Sequence, residues 1–187
     1  MLALLLAASG ARAEAPPAQL PWYVPDHAAL QVAGSIGLVS AGPGWGFFGD
    51  RVDAELLLGW APPAVAGEDF LTLTLKGQWH PFRLDLEGWQ LRPLTVGLLL
   101  SYTFGDDYFV TLPDRYPSGY YWFKTALRPA LLLGASVGRP VSAMRLRHLE
   151  GYFELVATDY RLVQFLRNPA TVETGLFSLA LGARLRF

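Results

Sequence analysis

The chain closes on the stretch SLALGARLRF, residues 178–187. Successive positions in it alternate between two rows of different chemistry. The apolar row contains Leu179, Leu181, Ala183, Leu185 and Phe187, and the small or charged row contains Ser178, Ala180, Gly182, Arg184 and Arg186. Side chains of a β-strand point alternately to its two faces, so this pattern predicts a strand whose faces meet different surroundings.

This last stretch resembles the C-terminal assembly signal of bacterial outer-membrane β-barrels. The resemblance rests on Gly182, Leu185 and the terminal aromatic Phe187, while position 180, usually polar in that signal, holds Ala180. It implies that these three residues form an assembly signal, and that the barrel assembly machinery of a Gram-negative envelope is a partner.

The N-terminal region has the pattern of an export signal. Residues 1–13 contain an apolar run far shorter than the roughly 20 residues of a membrane-spanning helix. Ala11, Arg12 and Ala13 give the small-x-small pattern of a cleavage site, so we expect a signal peptide over 1–13 and a mature protein beginning at Glu14. Residues 14–28 are proline-rich and are expected to form a periplasmic lead-in, followed by a barrel over 29–187.

Composition agrees with a membrane barrel. Hydrophobic residues make up 52% of the 187 residues, yet after residue 13 no apolar run is long enough to span a bilayer as a helix. A net charge of −1 gives no reason to expect a nucleic-acid partner, and the absence of cysteine excludes disulfides and thiolate chemistry. Alternation recurs about eight times from residue 29 onward, which predicts an all-β, eight-stranded antiparallel up-and-down transmembrane β-barrel. A soluble β-sandwich is the alternative, but the leucine-rich apolar faces favour the barrel.

Several local features are predicted from turn-forming residues and proline. The first strand is expected over residues 29–40, with Ile36 on its apolar face. A tight turn is expected at Gly42-Pro43-Gly44, a hairpin turn at Gly49-Asp50, and a bulge at Pro129 in the sixth strand. The short connections are expected in the periplasm, including 81–88 and 138–145. The longer ones, 105–119 and 159–171, are expected outside the cell.

Charged residues recur in the rows predicted to face inward. They are Arg51, Asp53, Glu55, Lys76, Lys124, Arg128, Glu150, Glu154, Arg184 and Arg186. An eight-stranded barrel has a narrow interior that side chains fill, and charges held there need partners. We therefore expect a lumen charge network of salt bridges that plugs the barrel, with a narrow ion path or ligand pocket as the alternative.

The sequence contains no convincing catalytic, cofactor or metal residues. Barrels that remodel lipid A use a serine and a histidine near the outer end, and the base must lie within hydrogen-bonding reach of the nucleophile. Here His27, His80 and His148 are assigned to the periplasmic side, and Ser101 is placed roughly 20 Å from His80. Asp106-Asp107 could bind calcium, but two adjacent acids are more typical of a solvated loop. We expect a protein that is not an enzyme and needs no cofactor or metal.

Three further segments carry a resemblance that covers the whole barrel region. They are SYTFGDDYF (residues 101–109), PDRYPSGYY (113–121) and TALRPALLLG (125–134). The chain is similar to the small eight-stranded bacterial outer-membrane β-barrel proteins, and among them to an uncharacterised exported family. This implies a monomer in the cell outer membrane, in contact with outer-membrane lipid and lipopolysaccharide, and no known activity. A structural or surface-interaction role is expected; the alternatives are a narrow pore or transporter for small solutes and, less favoured, a lipid A-modifying enzyme.

Overall fold

A computed structural model describes residues 21–105, 108–109, 126–143, 146–168 and 175–187. The expected signal peptide and the first part of the lead-in fall outside these ranges. The strands are β1 (His27–Ala33), β2 (Val39–Phe47), β3 (Val52–Ala61), β4 (Phe70–Trp79), β5 (Leu84–Leu86), β6 (Trp89–Phe104), β7 (Leu127–Ala143), β8 (Leu146–Thr158) and β9 (Ser178–Arg186). The helices in the described part are α1 (Pro63–Ala66) and α2 (Asp159–Arg167).

The long strands form one closed antiparallel barrel. Each pairs with its neighbour in the chain, β4 pairs with β6, and β1 closes the barrel by pairing with β9 from His27↔Arg186 to Ala33↔Ala180. The short β5 only extends the start of β6 as a hairpin. The predicted all-β, eight-stranded antiparallel barrel is therefore confirmed.

The predicted division between an inner and an outer face is observed along the barrel. In β8, Glu150 and Glu154 are buried, whereas Leu149 and Phe153, which directly precede them, are exposed. In β9, Arg184 is buried while the neighbouring Leu185 faces outward. Polar and charged side chains thus fill the interior, and apolar side chains cover the outside.

The first hairpin differs from the prediction. β1 begins at His27 and ends at Ala33, the turn lies at residues 34–38, and β2 runs straight through Gly42-Pro43-Gly44. The predicted strand 29–40 and the turn at 42–44 are therefore wrong. The real turn contains Gly34 with φ 82° and Gly37 with φ 134°, in a region that favours glycine. Gly44 serves packing instead, because a Cβ at that position would overlap the imidazole ring of His27.

The bulge predicted at Pro129 is also absent, since Pro129 sits opposite Leu100 in regular register. The register of β6 against β7 shifts instead between Arg92 and Thr95. At that point the two residues 93 and 94 stand opposite a single residue of β7, which is the definition of a β-bulge. A second irregularity lies between Pro140 and Ala143, opposite the start of β8.

The two ends of the barrel carry different connections. At one end, which we call the turn end, lie the β2–β3 turn, the β5 hairpin and the junction of β7 with β8. The expected turn at 138–145 is shorter than predicted, because β7 continues to Ala143. At the other end, the loop end, lie the 34–38 turn, the α1 connection, the β6–β7 connection and α2. The β2–β3 turn is separated from the β6–β7 and β8–β9 connections as the sequence predicted, but the short 34–38 turn lies at the loop end and the predicted turn at 81–88 contains the strand β5.

No helix in the described ranges is long and apolar enough to cross a bilayer.

Candidate functional site: a charged cluster in the barrel lumen

Inward-facing positions near the turn end bring buried polar side chains together from six strands. We call this group the lumen cluster. Its members are His27, Gln31, Asp53, Glu55, Lys76, Gln78, His80, Arg92, Glu150, Tyr152, Glu154, Arg184 and Arg186. Among these described residues, four cationic side chains (Lys76, Arg92, Arg184, Arg186) face four carboxylates (Asp53, Glu55, Glu150, Glu154). The cluster is therefore balanced in charge, as buried ions require.

Arg184 lies at the centre of the cluster and is only 1% exposed. Its Nε donates to Glu55 Oε1 at 2.5 Å, and one terminal nitrogen donates to Glu150 Oε1 at 2.6 Å. The other terminal nitrogen donates to Gln78 Oε1 at 2.6 Å and lies 3.4 Å from Glu154 Oε1. One guanidinium thus joins a carboxylate of β3 to two carboxylates of β8, the strand that pairs with β9.

Lys76 provides the second cationic centre of the cluster. Its Nζ lies 2.8 Å from Glu55 Oε2 and 3.2 Å from Glu154 Oε1, and it donates to Gln31 Oε1 at 3.0 Å. Lys76 and Arg184 therefore share Glu55 and Glu154. Because Glu55 and Glu154 each bridge both cations, removing any one of these members would leave its partners buried with fewer counter-charges than in the intact cluster.

Tyr152 packs an aromatic ring against both cations. The ring centroid lies 4.1 Å from Arg184 Cζ and 4.9 Å from Lys76 Nζ, both within cation–π range. Gly182 on β9 faces this ring, and a Cβ there would overlap it. Gly182, which the resemblance placed in an assembly signal, therefore also makes room for Tyr152.

A second part of the cluster surrounds Asp53, nearer the turn end. Arg186 donates to Asp53 Oδ2 at 2.6 Å, and Arg92 donates to the same oxygen at 3.3 Å. His80 links this carboxylate to a hydroxyl: its Nε2 is 3.1 Å from Asp53 Oδ2 and its Nδ1 is 2.9 Å from Thr95 Oγ1. Acid, imidazole and hydroxyl are the groups of nucleophilic catalysis. Thr95, however, is only 3% exposed, so its hydroxyl has no surface on which a substrate could bind.

An apolar layer separates the lumen cluster from the loop end. It contains Ile36, Leu57, Leu99, Ala130, Leu132 and Val156. Ile36 was predicted to face outward, but the 34–38 turn folds into the barrel and buries it. The Ile36 carbonyl accepts a hydrogen bond from Thr72 Oγ1 at 2.5 Å, which fixes the turn in this position. The interior is therefore filled in two layers, a charged one nearer the turn end and, nearer the loop end, an apolar one interspersed with the buried hydroxyls of Thr72, Thr74, Ser101 and Thr103.

At the turn end, Asp26 joins the chain preceding β1 to the rim of the barrel. Its carboxylate lies 2.5 Å from His27 Nδ1 and accepts from the Gly46 N–H at 2.6 Å. Burial by itself would raise the pKa of Asp26, but these hydrogen bonds and the charge of Arg186 outweigh it and lower the pKa below its usual value. The carboxylate is therefore held in its charged form at the rim.

Seven of the ten residues predicted for the lumen charge network lie in the cluster. They are Asp53, Glu55, Lys76, Glu150, Glu154, Arg184 and Arg186. Arg51 does not, because it lies exposed on the turn before β3, where strand alternation does not apply. Arg128 faces the loop end instead and donates from Nε to Asp159 Oδ1 of α2 at 2.8 Å. Lys124 lies outside the described residues.

Sequence reasoning missed several members of the cluster. His27 precedes the predicted first strand, although extending the alternation of Gln31 and Ala29 back by two positions would have included it. Arg92 was missed because the bulge at residues 93–94 inserts one extra position. Counting back by two from the inward Thr95 assigns Arg92 to the outer face, whereas the bulge returns it to the lumen.

No protein-family model matches the chain, and a search of curated proteins found no significant match. Among the described residues, no group of three or more His, Cys, Asp or Glu side chains is arranged to hold a metal ion. Any functional statement therefore rests on the geometry of the barrel itself.

Proposed function

We propose that this protein is an outer-membrane β-barrel with a non-enzymatic structural or surface-interaction role, and that its own side chains close the lumen. The observation that carries the proposal is the reversed polarity of the barrel. Buried ions occupy the lumen nearer the turn end, whereas leucines cover the outside. This is the arrangement expected where the outer solvent is lipid.

The exterior supports a membrane location. Large apolar side chains are exposed on every long strand, with Leu98 63% exposed as an example. In water, contiguous apolar patches rarely exceed a few hundred Å² on a monomeric protein. Exposed aromatic side chains occur near both ends of this surface; they include Phe47, Trp79, Trp89 and Phe187 at the turn end and Trp60, Tyr102 and Phe104 at the loop end. Aromatic belts of this kind are typical of membrane–water interfaces.

The grouping of the connections supports one orientation. The turn end contains the short turns, the start of β1 and the end of β9, and we place it in the periplasm. The longer connections and α2 share the loop end, which we place outside the cell. In this orientation the loop end meets lipopolysaccharide and carries any surface interaction.

The two filled layers favour a closed lumen and argue against a pore. Ions crossing the barrel would have to displace Arg184 or Lys76, each of which is hydrogen-bonded to several partners. They would then have to pass the apolar layer at Ile36 and Leu57, where the buried hydroxyls of Thr72 and Thr74 are already hydrogen-bonded within the protein.

Single-channel recording in planar bilayers tests the closed lumen. The folded barrel, identified by the change in its electrophoretic mobility on heating, should give no steady conductance. Glu154→Ala, which leaves Lys76 and Arg184 partly unpaired, is the informative variant, and Arg139→Ala, on the outer face, is the matched control. Steady conductance of the natural chain that changes with Glu154→Ala but not with Arg139→Ala would contradict the proposal and favour a narrow pore.

Cell fractionation tests the location. The protein should sediment with the outer membrane, resist carbonate and be extracted by detergent. Recovery in the soluble periplasm would mean that the apolar exterior is covered by protein, as in a sandwich or an oligomer, and not by lipid.

A further inference from the structure

We propose that the loop end contains a binding site for a single-chain anionic amphiphile, such as a long-chain carboxylate, above the apolar layer. The inference rests on the proposed membrane location, which would bring such molecules to the loop end from the outer leaflet.

The site is a cavity of about 630 Å³ between the inward-folded 34–38 turn, the α1 connection and the start of β9. Pockets for small ligands measure roughly 300–1,000 Å³, so the cavity has a suitable size. Its walls are mainly apolar, formed by Leu38, Ala61, Val65, Phe70 and Leu179 among others. Such walls fit an alkyl chain.

Polar groups converge on one side of the cavity. Ser35 Oγ donates to Ser178 Oγ at 2.8 Å, and a terminal nitrogen of Arg161 donates to the same Ser178 oxygen at 3.1 Å. Ser35, Arg161 and Ser178 all line the cavity. Two hydroxyls and one guanidinium therefore lie where the polar head group of a ligand with an alkyl chain would bind.

The charge on Arg161 calls for an anionic head group. Among the described residues, none of the ion pairs involves Arg161, and Asp159 on the same helix pairs with Arg128 at 2.7 Å. The acids of the nearby α1–β4 connection have other partners: Glu68 accepts from the Tyr108 hydroxyl at 2.8 Å, and Asp69 lies 3.4 Å from Trp60 Nε1. A carboxylate or phosphate would form a charge-assisted hydrogen bond with the guanidinium.

The floor and the rim of the cavity define the route of entry. Ser35 and Gly37 line the cavity, whereas Ile36 between them belongs to the buried apolar layer and its carbonyl is held by Thr72, so this turn separates the cavity from the lumen cluster. Leu179 lines the cavity and is also exposed on the outer apolar face. An acyl chain can thus enter from the lipid side without crossing the barrel interior, which distinguishes this site from a transport path.

Native mass spectrometry of the folded barrel released from nonionic micelles can count bound molecules directly. Hexadecanoate and hexadecanol are the probes, because they share a chain and differ in charge. The natural protein should hold one hexadecanoate at a concentration about tenfold or more below that needed for hexadecanol. Arg161→Gln should abolish this preference, whereas Arg139→Gln, on the outer face near the turn end, should keep it.

A second pair of variants tests the cavity itself. Ala61→Phe and, on α1, Ala66→Phe each add a ring to the lining and should weaken both probes about tenfold. Ala66 is exposed, so Ala66→Phe should not disturb folding. This variant therefore keeps the test valid if Ala61→Phe does not fold. Equal binding of acid and alcohol, a preference that survives Arg161→Gln, or adducts unaffected by the added rings would each overturn the proposal. A soluble periplasmic location would contradict the proposed function instead, and the micelle measurement would still report on the cavity.

Discussion

Replacing Arg184 by Met is expected to lower the free energy of unfolding by about 3–5 kcal/mol, the range for removing one partner of a buried ion pair. The side chain is 1% exposed and contacts three carboxylates, of Glu55, Glu150 and Glu154. Methionine keeps most of the volume, so the loss reports on charge more than on cavity formation. The cluster would retain four carboxylates against three cations, which leaves it with a net charge of −1 at buried positions.

Equilibrium unfolding in urea, with the barrel in lipid vesicles and followed by heat-modifiable migration, measures this loss. Arg139→Met is the matched control, because Arg139 is exposed on the outer face, and it should change stability by no more than about 0.5 kcal/mol. Arg184→Met combined with Glu150→Gln restores the charge balance and should recover at least about 1 kcal/mol. A loss below about 1 kcal/mol for Arg184→Met, or no recovery in the double variant, would refute the argument that these ions are desolvated and mutually dependent.

Two further variants separate packing from assembly in β9. Gly182→Ala places a Cβ against the Tyr152 ring and, as an overpacked site, should lower the free energy of unfolding by about 1–3 kcal/mol. This loss should be smaller when Tyr152→Leu is added. If the effects of the two substitutions were additive, the contact between Gly182 and Tyr152 would be contradicted. Deleting Phe187 should cost little stability in detergent, because full burial of an aromatic contributes only about 1.5–3 kcal/mol and this side chain stays 40% exposed. The cellular yield of heat-modifiable barrel should nevertheless fall sharply if Phe187 carries the assembly signal. Equal effects on detergent stability and on cellular yield would mean that Phe187 contributes only packing.

The alternating pattern was sufficient to predict the strand class, the number of barrel strands and, for most strands, which face is apolar. Leu149 and Glu150 illustrate the reason: adjacent side chains of a strand always point to opposite faces, so the assignment is local. Where the chain's own geometry departs from a plain strand, the same counting fails. The bulge at residues 93–94 reversed the faces and hid Arg92. Gly42 and Gly44, predicted to form a turn, proved to be strand residues that leave space for the backbone of β3 and for the His27 ring, respectively.

The partners within the lumen were decided by the tertiary structure alone. The sequence supplies Glu55 and Arg184 as inward-facing charges, but they are 129 positions apart and meet only because β1 pairs with β9 and closes the barrel. Closure also fixes the register that puts Tyr152 against Gly182, and it draws the 34–38 turn inward to bury Ile36. Local alternation determines which side chains enter the lumen, whereas their depth and their contacts depend on how all the strands are staggered around it.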